Sequence, residues 1–230
     1  MTKIKIAIQG ELGAYSHIAV ENLFKGAEIK NCTTFEETFK QAYSDPSYKI
    51  VIPIENSLAG RVADIHYLLP KYKLQIHGEY FLNVEHNLLC KPNANLVDIK
   101  FVRSHAQAIG QCQNIINKKK FKPIISADTA GSAKDLAEGD DNSIAAIASE
   151  LSAKIYKLKI LEKNIEDEKG NVTRFLIMGK NIEQPEFASE KKFITSCIFR
   201  VKSEPSALYK CLGGFATNQV NLTKLESFSV

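Results

Sequence analysis

Short runs of β-branched and other apolar residues alternate along the chain with stretches whose apolar positions recur every three or four residues. Residues 4–8 form a strand-like run that closes on Gln9-Gly10. Behind it Ile18, Val20, Leu23 and Phe24 follow a helical spacing, with Ser16 as the expected N-cap. Thr34 and Glu37 have capping-box spacing ahead of Phe35, Phe39 and Ala42. Residues 50–54 read as a buried strand. Leu58, Val62, Ile65 and Leu69 predict a helix that Pro70 ends. Residues 74–90 have no helical period and are rich in β-formers, which predicts one or two long strands leading from one lobe into another.

The theme then repeats. A strand at 99–103 leads into a helix over 105–119, one at 123–126 into a helix over 129–138, and one at 143–147 into a helix reaching Tyr156. Residues 173–178 are a further strand that can return to the first lobe. This alternation implies α/β architecture with parallel-dominated sheets and right-handed crossovers. Residues 181–191 are polar, contain Pro185 and read as a linker. Beyond them the pattern predicts a strand at 193–201, a helix at 205–218 with Pro in its first turn, and a strand at 220–228.

Composition narrows the function classes. The chain has 230 residues, 44% hydrophobic and 24% charged, enough for one large or two small cores. Its net charge of +4 is not gathered into a stripe, and Lys118-Lys119-Lys120 is its only basic triplet, so no nucleic-acid partner is expected. No run approaches the ~20 apolar residues of a membrane span, and the start reads as a strand broken by lysines, so the cytoplasm is the expected location. Five widely spaced cysteines without a Cys-x-x-Cys pair argue against structural zinc and a disulfide framework.

Candidate chemistry clusters at strand-to-helix turns. Ser16, Ser57, Ser104 and Thr129 all fall at such turns, where helix N-termini favour anions, though Ser and Thr are also ordinary caps. Glu55-Asn56-Ser57 sets a carboxylate, an amide and a hydroxyl in succession after a buried strand. Ser104 and Gln111 are seven residues apart, about two helical turns, and share a face if Ser104 starts the helix. Thr173-Arg174-Phe175 offers a hydroxyl, a cation suited to bidentate carboxylate pairing or to a neighbouring acid, and a core aromatic. Nothing in the sequence separates the five histidines from structural hydrogen bonding.

Four strings carry a resemblance: Gln-Gly-Glu-Leu-Gly-Ala-Tyr-Ser at 9–16, Pro-Ile-Glu-Asn-Ser at 53–57, Ser-His-Ala-Gln-Ala-Ile-Gly-Gln-Cys at 104–112, and Gly-Asn-Val-Thr-Arg-Phe at 170–175. Together they resemble the prephenate dehydratase family. The resemblance implies a type-II periplasmic-binding-protein-like catalytic region over 1–180. Its first lobe would span about 1–75 plus 165–180 and its second about 76–164. It implies decarboxylating dehydration of prephenate to phenylpyruvate with no cofactor or metal. Thr173 would act at the chemical step with Glu55, Asn56 and Ser57, and Ser16, Ser104, Gln111, Thr129 and Arg174 would hold substrate.

Residues 192–230 resemble the start of a ferredoxin-like ACT regulatory domain, supplying only a βαβ portion, so the domain is expected to be truncated. Ala207, Leu208, Glu226 and Ser227 match its phenylalanine-recognition strings in part. A phenylalanine effector and a homo-oligomer follow as expectations. The same fold would also suit a non-catalytic carboxylate-binding protein or an amino-acid sensor.

Overall fold

The computed structural model describes residues 3–181, 186, 188–190 and 192–227. The chain divides into two units, 1–183 and 184–230. The larger begins with β1 (Lys5–Gln9), α1 (Tyr15–Leu23), β2 (Glu28–Cys32), α2 (Phe35–Ser44), β3 (Tyr48–Asn56), β4 (Gly60–Arg61), α3 (Ala63–Tyr72) and β5 (Gln75–Asn83). A second run comprises β6 (Asn87–Cys90), β7 (Phe101–His105), α4 (Ala106–Gly110), α5 (Gln113–Lys119), β8 (Lys122–Ser126), α6 (Thr129–Glu138), β9 (Ile144–Ala148), α7 (Glu150–Ile155) and β10 (Lys159–Glu162). β11 (Val172–Gly179) completes this unit, and α8 (Ala207–Thr217) lies in the smaller one.

Two sheets result. The first has the order β2-β1-β3-β11-β5, with β4 against β3, and the second β10-β6-β9-β7-β8. β1 runs parallel to β2 and β3, and β7 parallel to β8 and β9, as the alternation predicts. β11 is antiparallel to both β3 and β5, and β6 to both β9 and β10, so each sheet is mixed and not parallel-dominated as the alternation implies, because the strands next to the crossings run against their neighbours. The chain leaves the first sheet after β5 and re-enters it as β11. Two α/β lobes joined by two crossings are the type-II periplasmic-binding-protein-like architecture. The first lobe runs to Asn83, beyond the expected boundary near residue 75, because β5 pairs with β11 along its whole length.

Both faces of each sheet are buried. Ile6, Ile8 and Val51 pack with Ala19 and Val20 of α1, whereas Ala7, Ile50 and Ile52 pack with Phe39 and Ile65 of α2 and α3. In the second sheet Leu88 and Cys90 face one side and Leu89 the other. This two-residue period, with cover on both sides, makes the central strands read as unbroken apolar runs. β2 and β10 are edge strands with exposed charged positions, so the hydrophobic pattern does not single them out.

Two helices depart from the sequence pattern. The one expected from Leu58 begins at Ala63, because residues 56–61 turn back as a hairpin. Leu58 is 43% exposed and joins no apolar face. Pro70 does not end that helix. It sits in the last turn, where it removes one bond four residues back, and the helix still runs two residues further to Tyr72. The helix expected over 105–119 is broken into α4 and α5 at Gln111-Cys112.

In the smaller unit the expected helix is present as α8, but residues 193–201 and 220–227 form no strand. Extended segments become strands only when a neighbour supplies ladder hydrogen bonds. Residue 228 of the second expected strand, and 182–185, 187 and 191 of the expected linker, lie outside the described residues. Among the described residues no helix is long and apolar enough to cross a membrane.

Candidate active site

β3 and β11 end side by side, with Thr173 opposite Asn56 and Arg174 opposite Glu55. Successive side chains on a strand point to opposite faces, so these pairs separate. Thr173 and Phe175 share the α1 side of the sheet. Asn56 Nδ2 donates to Thr173 Oγ1 at 2.9 Å and to Asn171 Oδ1 at 2.5 Å. Asn56 Oδ1 accepts from the backbone N–H groups of Leu58 and Ala59, so the hairpin turn dictates which end of the amide is the donor. Thr173 is 8% exposed. Its oxygen accepts from Asn56, and its own proton has no acceptor among the described residues.

The path continues into the second lobe. Asn171 Nδ2 donates to Gln111 Oε1 at 3.0 Å, and His86 Nε2 lies 2.9 Å from the same oxygen. Tyr15 Oη is 2.8 Å from His86 Nδ1 and 2.8 Å from Glu85 O. Six polar side chains, Thr173, Asn56, Asn171, Gln111, His86 and Tyr15, thus connect the lobes through both crossings.

Local structure explains where Gln111 stands. It ends α4, and α5 starts without a side-chain cap of its own. The carboxylate of Asp167, on the returning crossing, accepts from Gln113 N at 2.7 Å and Asn114 N at 3.0 Å, while Asp167 N donates to Gln111 O at 2.7 Å. Ser57 fastens the same crossing. Its hydroxyl accepts from Val172 N at 2.9 Å and donates to Gly170 O at 3.3 Å.

Burial holds the His86 pKa below 6.5, against the opposing pull of its Gln111 bond and the Glu166 carboxylate. Burial, with Cys112, Glu166 and Glu85 nearby, raises the Tyr15 phenol well above 10. Burial, with Asp167 and Glu166, likewise pushes the Cys112 thiol up. At neutral pH His86 is therefore uncharged, Tyr15 keeps its proton, and Cys112 is no nucleophile.

Burial also lowers His17 and His77. The unfolded chain binds protons that these three rings refuse when folded. Stability is therefore expected to be full above the ordinary 6.5 and to fall as pH drops through it. Urea unfolding at about pH 7.5 and about pH 5.5 checks this, and a higher midpoint at the lower pH would contradict it.

A second contact joins the lobes beside this path. Gly13, with φ +91°, inserts its carbonyl between two hydroxyls of α7 and its cap: Ser149 Oγ at 2.6 Å and Ser152 Oγ at 3.0 Å. Tyr156 donates to Leu12 O at 2.9 Å, and Lys134 pairs with Glu11 at 3.0 Å.

The remaining candidates divide. Ser16 is not the cap of α1 but lies inside its first turn, next to Tyr15, and Thr129 opens α6, whose cap is Asp128. Ser57 sits in the hairpin turn, not at a helix start. Ser104 lies within β7, 0% exposed, and its hydroxyl donates to Ile147 O at 2.7 Å. It does not start a helix with Gln111, and the acceptor lone pairs left to it suit no carboxylate.

Arg174 does not reach toward Thr173. It bonds Glu79 through Nε at 2.7 Å and Nη2 at 2.6 Å, and Glu55 at 3.2 Å, on the opposite face. Glu55 is likewise turned from the hydroxyl pair by strand alternation. Asn171, His86 and Tyr15 were not singled out from the sequence, although Asn171 and Tyr15 lie inside the strings at 170–175 and 9–16. Replacing Arg174 with Met is expected to destabilise the fold by about 1–3 kcal/mol, since two carboxylates lose a shared cation, with KM changed by less than about twofold. Thermal unfolding and steady-state kinetics separate these effects, and a large KM rise in a stable variant would restore a substrate role.

A two-lobed α/β protein with a polar relay converging on one buried hydroxyl offers a small polar ligand hydrogen-bond partners from both lobes. Comparison with known proteins makes the class specific. The prephenate dehydratase family model matches residues 6–183. The chain is similar to a bifunctional N-acyl-homoserine lactone acylase/prephenate dehydratase of Komagataeibacter europaeus, 40% identical over 97% of this chain and 79% of that protein. It is also similar to the chloroplastic arogenate dehydratase/prephenate dehydratase 2 of Arabidopsis thaliana, 39% identical over 98% of this chain and 59% of that protein. Against several plant relatives the chain thus spans little more than half of their length. The crystal structure of prephenate dehydratase from Arthrobacter aurescens in complex with L-Phe matches with a TM-score of 0.84 at 25% identity, over 98% of this chain and 76% of that one. The chain belongs to the prephenate dehydratase family, the hydro-lyases of phenylalanine biosynthesis.

Proposed function

We propose that this chain converts prephenate to phenylpyruvate, carbon dioxide and water, with Thr173 at the departing hydroxyl. One observation carries the assignment: Thr173 Oγ1 accepts from Asn56 and keeps an uncommitted proton. In the reaction the ring carboxylate leaves as carbon dioxide and its bonding pair enters the ring. The ring becomes aromatic as the C–O bond breaks, and the hydroxide takes up a proton to become water. Thr173 donates a hydrogen bond to that oxygen as its charge develops, and Asn56 polarises and orients the donor. Aromatisation supplies the driving force. Gln111 presents its amide N–H groups to a substrate carboxylate, and the first turns of α1 and α6, at Ser16 and Thr129, favour the second negative charge. Ser57 supports the site by fastening residues 170–172.

The purified chain is expected to turn over prephenate at neutral pH, read as phenylpyruvate formation, with arogenate offered in parallel. No turnover of either would overturn the assignment.

The C-terminal unit is proposed to respond to phenylalanine, with Ala207, Leu208, Glu226 and Ser227 as recognition positions, and to pair with a second copy of the chain. Exposed Leu208, Tyr209, Val220, Leu222 and Leu225, on and after a helix that buries none of its residues, support pairing. Sedimentation over a concentration series and activity with added phenylalanine test this. A monomer at every concentration would contradict pairing, and unchanged activity would contradict the response.

A further inference from the structure

We infer that His86, held by Tyr15, is a positioning residue: it fixes the amide of Gln111 so that its carbonyl faces Asn171 and its N–H groups face the substrate. The inference rests on the reading of Thr173 and Gln111 given above and goes one shell further. Gln111 Oε1 takes two donors, Asn171 Nδ2 at 3.0 Å and His86 Nε2 at 2.9 Å. Asn171 can act only as donor there, because its own Oδ1 already accepts from Asn56. The direction of this bond traces back to the hairpin turn, whose backbone N–H groups orient Asn56. Gln111 Oε1 can only accept, so the imidazole must carry its proton on Nε2. Nδ1 and the Glu85 carbonyl, each 2.8 Å from Tyr15 Oη, then share the single phenol proton.

The surroundings keep the ring in that state. His86 is 2% exposed, and its ring stands T-shaped to that of Tyr15 with centroids 5.8 Å apart. The charged and titratable groups around the ring and its phenol partner are Glu166, Glu85, Cys112 and Tyr15. Glu166 is engaged through the backbone, accepting from His86 N at 2.9 Å, not by a bond to the ring. A flipped Gln111 amide would set N–H against N–H at both His86 and Asn171. The relay therefore excludes the flip and commits Gln111 to a hydrogen-bond acceptor on the ligand, such as a carboxylate oxygen. Because Gln111 and Asn171 come from different lobes, this alignment holds only while the lobes are together.

The test is a double-mutant cycle with a rescue. His86→Leu is expected to lower kcat/KM about 10- to 100-fold, the scale of misplacing a positioned group. His86→Gln, whose amide N–H can reach where Nε2–H stood, is expected to recover most of that loss. In a Gln111→Ala background, His86→Leu should cost no more than about a further twofold, because its route of action is gone. Additive losses in the two backgrounds, or no advantage of Gln over Leu in folded variants, would overturn the role. If His86→Leu does not fold, the cycle is read with Tyr15→Phe and Gln111→Ala. A readout independent of turnover separates this inference from the reading beneath it. Nitrogen-15 imidazole spectra of the wild type at pH 7 should show the Nε2–H tautomer. An Nδ1–H tautomer overturns the positioning role even in an active enzyme, whereas an inactive wild type with the Nε2–H tautomer strikes only the reading of the reaction.

Discussion

Thr173→Val is expected to lower kcat by about 10²- to 10⁴-fold while leaving KM within about threefold. Valine keeps the β-branched shape that suits a strand residue paired on both sides, so the fold should survive. What disappears is the hydroxyl that accepts from Asn56 and whose proton has no acceptor among the described residues. On the proposed reaction its contribution arises as the departing oxygen gains charge, so binding of the ground state should be little affected. Thr173→Ser restores the hydroxyl and should recover activity to within about tenfold, the residual loss reflecting a freer rotor. Steady-state kinetics on the three proteins decide the matter. A valine variant with near-normal kcat would remove Thr173 from the chemistry, and the Asn56 bond would then be purely structural.

The second large effect is expected at Gly13. A Cβ there would stand 2.5 Å from Ser152 Oγ and 2.8 Å from Ser152 Cα, distances no packed structure tolerates. Its φ of +91° also disfavours any side chain. Gly13→Ala must therefore push the loop before α1 away from α7, spreading the lobes where Gly13 O meets Ser149 and Ser152. Gln111 and Asn171 meet across the same divide, so the relay to Thr173 would loosen. A loss of about 10²-fold in kcat/KM follows from a displacement of roughly 1 Å. Gly10→Ala is the control. It carries a similar φ of +96° but meets only Ala14 Cβ, at 3.7 Å. It should suffer the backbone strain, about 1–2 kcal/mol of stability, without the kinetic loss. Equal kinetic losses in the two variants would show that strain in the loop, not contact between lobes, controls activity.

Much of the fold is legible in the chain because its signals are local. Central strands buried on both faces announce themselves as apolar runs, and Thr34 caps α2 through Glu37 N as its spacing implies. Where local signals failed, a distant partner had intervened. The helix over 105–119 breaks because Asp167 supplies an N-terminal cap from 53 and 54 residues away. Residues 193–201 look like a strand by composition, yet strand formation depends on a neighbour that composition does not name.

The site divides along the same line. Sequence by itself placed Asn56 and Thr173 at the ends of strands and Gln111 within a helix, from residue type and local pattern, and the resemblance of the four strings marked them as candidates. Only the tertiary structure decided which of the candidates converge. Asn56 meets Thr173 across 117 residues of chain, and Asn171 meets Gln111 across 60. It recruited Asn171, His86 and Tyr15, turned Arg174 and Glu55 to the other face of the sheet, and spent the Ser104 hydroxyl on Ile147. The physical reason is that a hydrogen bond needs its partners within about 3 Å and suitably directed. Strand register and the meeting of two lobes set such distances, and no periodicity along a single chain encodes them.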